Sequence, residues 1–168
     1  MGKTVFESNI QPEYRGVVEG FYGPPWTHQN RLSIIRFLGQ VNLNYYIYAP
    51  KDDPYHRDKW KEPYPANQLA NLKELVSECK KNKVYFCFAI SPGRDITYSS
   101  ASDFQMLLTK LDAVYAIGVR HFALFLDDVP SNFIHSEDSA VFKSFGEAQV
   151  KWANDLYTYL KKKDIQNH

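Results

Sequence analysis

Four short runs of apolar, aromatic and β-branched residues punctuate the chain: Val17-Val18-Glu19, Tyr45 to Ala49, Val84 to Ile90, and His121 to Leu126. Each is too short for a helix and is stopped by a turn signal, which predicts strands buried on both faces. Between them the apolar positions change to helical spacing. Thr27 is placed to cap a first helix carrying Leu32, Ile35 and Leu38; Leu69, Leu72, Leu75 and Val76 mark a second. Asp103 is placed to cap a third, with Leu107, Leu111 and Val114, that ends at Gly118. A last helix is predicted from about Ser139, with Val141, Phe145, Ala148, Trp152, Leu156 and Tyr159 on one stripe and Lys161-Lys162-Lys163 at its end.

The pattern is βα repeated four times, an α/β class with parallel strands and right-handed crossovers. It leaves two architectures open, a doubly wound sheet and part of a (β/α)8 barrel. No GxGxxG or GxxxxGK[ST] follows a strand, so nucleotide binding loses its main support. The unusual residues gather in loops after strands: Gly20-Phe21-Tyr22-Gly23, Lys51-Asp52-Asp53, Ser91-Pro92-Gly93 and Asp127-Asp128. Barrel enzymes keep their chemistry at that end, and open sheets place their ligand crevice there.

A full barrel takes roughly 250 residues, and the chain has 168. Four strands do not close a barrel, so the first and fourth are expected to be open edges. The expectation is one partial barrel domain over residues 1–168, strands 1–4 with helices 1–4, with residues 1–14 as an N-terminal extension. The faces turned toward the other half would then be apolar and wet. Self-association, or pairing with a chain that carries the missing half-barrel, would cover them.

Composition narrows the partners. The net charge is +1 with 44% hydrophobic residues, which gives no ground for nucleic acid or membrane binding. The two cysteines, Cys79 and Cys87, lack CxxC spacing and read as free thiols in a reducing compartment. With no signal-peptide core at Met1 to Glu7, the expected location is cytoplasmic, or nuclear. His121 and His135 have no ligand spacing with a second histidine, and no metal or other cofactor is expected. A prenyl-transfer pattern would want a third Asp where Ser131 stands.

Asp127 and Asp128 are the chemical signal. Two carboxylates in a row after a greasy strand cost several kcal/mol to hold ionised in an apolar setting. Two acids crowded together at a strand's carboxyl end are a place where one proton is held at neutral pH. The bland alternative is a capping or solvated loop pair. For Lys51 it is a salt bridge to Asp52, Asp53 or Asp58.

Gly16 to Gly23 with Pro25-Trp26, Tyr48 to His56, Ile90 to Gly93, and Asp127-Asp128-Val129 together resemble the family 84 glycoside hydrolases. That family holds protein O-GlcNAcases and bacterial N-acetylglucosaminidases. The resemblance runs from about Arg15 to Tyr159, and Val141 to Val150 looks closer to the animal enzymes. It implies the N-terminal half of a (β/α)8 catalytic barrel. The implied reaction is retaining, substrate-assisted hydrolysis of β-linked N-acetylglucosamine on a glycoprotein or glycan. By the same resemblance Asp127 would orient the acetamido group and Asp128 would act as acid and base. Gly20, through its carbonyl, and Lys51 would contact sugar hydroxyls. The family's other pocket residues lie on later strands, so little activity is expected of these residues alone.

Overall fold

A computed structural model describes residues 12–93, 95–127 and 129–166. The strands are β1 (Gly16–Glu19), β2 (Tyr45–Tyr48), β3 (Tyr85–Ile90) and β4 (His121–Leu124). The helices are α1 (His28–Gln40), α2 (Ala66–Lys81), α3 (Ala101–Ala116), α4 (Ser136–Val141) and α5 (Phe145–Gln166). All neighbouring strands pair in parallel, in the order β1-β2-β3-β4. A doubly wound sheet reverses its order where it switches direction. This one does not, so the chain is an α/β half of a (β/α)8 barrel.

Alternation along the strands sorts the residues. Glu19, Tyr48, Phe88 and Phe122 lie in one register row, as do Ile90 and Leu124, on the face that packs against the helices. Leu32, Ile35, Leu38, Leu72, Leu75, Leu107, Leu111 and Val114 complete that core. Val18, Ile47 and Cys87 form a row on the opposite face, above which Ala89 pairs with Ala123. The expected wet inner face is found only in part. Val18 is 51% exposed, whereas Cys87 and Ala89 are buried. The rings of Tyr14, Tyr45, Tyr85 and His121 gather at the amino end with centroids 4.7–6.3 Å apart.

Local chemistry sets the helix ends. Thr27 caps α1 as its sequence predicts, accepting from Asn30 N at 3.2 Å. At α3 the cap is Ser100 instead of Asp103: Ser100 Oγ accepts from Asp103 N at 3.1 Å. The Asp103 carboxylate, largely buried, instead accepts from Thr97 N at 3.0 Å. α3 stops before Gly118, whose φ of +108° suits a residue without a Cβ. The single helix expected after β4 is two helices, so the described residues hold five helices where the pattern suggested four. Phe142 leaves helical backbone geometry to bury its ring. Ser144 and Glu147 then start α5, with Ser144 Oγ accepting from Glu147 N and the Glu147 carboxylate accepting from Lys143 N. Val141, placed on the apolar stripe by spacing, is 62% exposed as a result.

Cys79 and Cys87 are buried and unpaired, and burial pushes their thiols up to about 12 and about 11. Among the described residues no helix is long and apolar enough to cross a membrane.

The β1 end is locked to α1 by a buried ion pair. Glu19 is 1% exposed and takes three contacts of 2.8–3.0 Å from the Arg31 guanidinium and one from the Tyr46 hydroxyl. Glu19→Gln leaves that guanidinium without its counter-charge, and the expected loss is about 3 kcal/mol. The check is a lower urea midpoint with an unchanged slope.

Candidate active site at the strand carboxyl ends

The loop after β2 is built around one buried carboxylate. Asp53 Oδ1 accepts from the backbone N–H of Tyr55 (2.8 Å) and His56 (3.3 Å), the Asx turn that an Asp-Pro pair favours. Asp53 Oδ2 accepts from the hydroxyls of Tyr48 (2.9 Å) and Tyr64 (2.7 Å), which ties the start of the loop to its end. Lys51 stands two residues before this knot.

Loops are then fastened to one another around the rim. Ser91 N donates to His56 O at 2.9 Å, and His56 Nδ1 donates to Ala89 O at 2.7 Å. Burial lowers the His56 pKa and keeps its ring neutral, which is consistent with a single proton on Nδ1. Lys61 pairs with Asp95 at 3.1 Å and Asp103 at 3.0 Å, joining the loop after β2 to the loop after β3 and the start of α3. The buried Asp138 carboxylate accepts from Tyr98 N and Ser99 N, which holds the loop after β3 to α4. Trp152 Nε1 of α5 donates to Tyr98 O at 2.7 Å. Gly93 lies so close to the loop after β4 that a Cβ there would come 2.1 Å from Val129 Cγ1.

Within this frame Lys51 Nζ donates to Asp127 Oδ2 at 3.4 Å, and the same nitrogen stands 5.3 Å from the Tyr22 ring centre. The loops after β1, β2 and β4 therefore meet at one point. The Lys51 side chain is 12% exposed and that of Asp127 56%. The pair is thus loose and open on the carboxylate side, worth little as a stabilising bridge but accessible to a ligand. Gly20 lies at the end of β1 on the same rim, where the nearest atoms to an added Cβ would be Val18 Cγ1 at 3.3 Å and Ala49 O at 4.0 Å. Of the residues singled out by sequence, Lys51 and Asp127 are brought into contact, and Gly20 stands at the same end. Asp128 lies outside the described residues. The Lys51 bridge reaches Asp127, 76 positions away, and Asp53 is engaged by Tyr48, Tyr64 and two amides.

Sequence reasoning missed the anchoring role of Asp53, although Asp53-Pro54 signals it. It also missed Tyr22 under Lys51 and the fit of Gly93 to Val129. A concavity of about 190 Å³ is lined by Asp52, Asp53 and Tyr64 of the loop after β2; neither it nor two others, of about 400 and 700 Å³, is lined by Gly20, Lys51 or Asp127.

A βα half-barrel with an accessible lysine–aspartate pair at its strand carboxyl ends is the framework of a barrel enzyme. Residues 15–168 match the family profile described as beta-N-acetylglucosaminidase, and the chain belongs to that family. It is 45% identical over 145 residues to protein O-GlcNAcase of Rattus norvegicus, across 86% of this chain and 16% of the relative. The same figures hold for the protein O-GlcNAcase of Mus musculus. A solved structure of a Thermobaculum terrenum O-GlcNAc hydrolase mutant superposes with a TM-score of 0.87 at 42% identity, over 89% of this chain and 32% of that one. The chain thus spans about a sixth of the length of the curated relatives it matches.

Gly93→Ala tests the rim. Its methyl must displace Val129, a stiff side chain, at an expected cost of about 1–3 kcal/mol. Adding Val129→Ala should recover at least half of that loss. Additive losses in thermal or urea unfolding would show that the two loops are not in contact.

Proposed function

We propose that these four βα units form the N-terminal half of the catalytic barrel of a retaining β-N-acetylglucosaminidase that removes O-linked N-acetylglucosamine from proteins. The supporting observation is the contact of Lys51 with Asp127 at the strand carboxyl ends, in a chain of this family. In this reading Asp127 accepts a hydrogen bond from the acetamido N–H of the sugar and holds that group under the anomeric carbon. The acetamido oxygen attacks this carbon, and the bond to the protein's serine or threonine oxygen breaks. Asp128 gives its proton to that leaving oxygen, and the sugar closes to an oxazolinium ring. Asp128 then takes a proton from water, whose oxygen attacks the same carbon and reopens the ring with net retention. Lys51 and the Gly20 carbonyl hold sugar hydroxyls. No cofactor takes part. The cytoplasm or the nucleus is the proposed location.

Asp128 has to hold a proton at neutral pH, and burial raises a carboxyl pKa. The chain covers only 32% of the matched hydrolase chain, so the 168 residues alone are expected to hydrolyse an aryl N-acetylglucosaminide very slowly. Co-expression with a chain carrying four further βα units is expected to restore turnover. In that complex Asp127→Asn and Asp128→Asn should each lower kcat by about 10² to 10⁴, and Lys51→Met should act chiefly on KM. Full activity of Asp127→Asn would refute the assignment.

A second reading, a non-catalytic assembly module, draws on the exposure of Val18, Phe21 and Tyr22 along the open β1 edge. Sedimentation of the chain as a stable monomer at high concentration counts against it.

A further inference from the structure

Lys110 has no part in the scheme above, yet it is 3% exposed on the inner side of α3. Its Nζ donates to the Tyr55 carbonyl at 2.9 Å and stands 4.6 Å from the Tyr64 ring centre and 5.4 Å from that of Tyr55. The charged or titratable groups facing it, Asp53, Tyr55, Glu62 and Tyr64, all belong to the loop after β2. Burial drives its pKa down to about 8, against a smaller pull upward from Asp53 and Glu62. The sign of the linkage is therefore unusual for a paired lysine. Above about 8 and up to the ordinary lysine value, the unfolded chain holds more protons than the folded one, so stability rises with pH in that window. Below it the fold carries a buried ammonium at a cost to itself. In that state the ammonium meets the one loop whose shape decides where Lys51 stands.

We propose that Lys110 is a positioning residue: its ammonium, reaching from α3 to the Tyr55 carbonyl, fixes the loop of residues 51–64 so that Lys51 faces Asp127. The proposal deepens the reading of Lys51 as a sugar contact and rests on it for its functional meaning, but the loop's order is measurable without sugar.

The test is Lys110→Met in this chain, followed by melting, by amide hydrogen exchange and by titration with N-acetylglucosamine. At pH 7 the melting temperature is expected to stay level or rise. Exchange at the amides of Tyr55, His56 and Ser91 should quicken about tenfold, as for the loss of one hydrogen bond, with Phe88 and Leu75 unchanged. Unchanged exchange at the three amides, or equal loosening everywhere with a lower melting temperature, overturns the proposal. Sugar affinity should fall in parallel with loop order, and an unaltered affinity beside a loosened loop refutes the positioning role. Should the parent chain itself bind no sugar, as a half-pocket allows, the exchange data alone decide the clamp.

Discussion

The carboxylate of Asp53 organises the upper end of this protein. Buried, it must satisfy its lone pairs, and it does so with two tyrosine hydroxyls and two backbone amides. Those four partners come from β2, from the turn beyond it and from the approach to α2. One acid therefore closes a long loop that has no regular structure of its own. Its position decides where Lys51 emerges, and with it the point where the loops after β1, β2 and β4 converge.

The remaining rim contacts serve the same end by different chemistry. Loops after β2 and β3 are joined by the His56 backbone and by Lys61, and loops after β3 and β4 by Asp138, Trp152 and the fit of Gly93 to Val129. Below, the Glu19–Arg31 pair ties the first strand to the helix layer. Hydrophobic burial explains why the sheet and helices adhere. It is polar contacts of long sequence separation that explain why the loop tips keep fixed relative positions.

Much of the fold was legible because it rests on local rules. Short continuous apolar runs marked the four strands within a residue or two, and Thr27 and Gly118 marked helix ends by their own chemistry. The misreadings share a cause: a short-range cue was overridden by a partner distant in sequence. Asp103 looked like a cap, but its carboxylate is drawn to Lys61 and Thr97, leaving the cap to Ser100. The last helix looked continuous because Val141 falls in phase with Phe145, and burial of Phe142 broke it. Lys110 sits three residues after Leu107 and four before Val114, on the apolar stripe, and was not singled out from sequence. Nothing in the sequence showed what its charge would meet.

The bridge from Lys51 to Asp127 joins strands that are not neighbours. β2 and β4 are separated by the whole width of β3, roughly 9.5 Å at two strand spacings. The lysine must therefore reach past the carboxyl end of the third strand, from which Ser91-Pro92-Gly93 continues the chain. These are three of the smallest surface-forming residues available, and all three are buried. They act as a low sill between two taller posts. A bulky side chain at this height would part the posts without disturbing the wall beneath, so the width of the opening is written in what the third strand's loop leaves out.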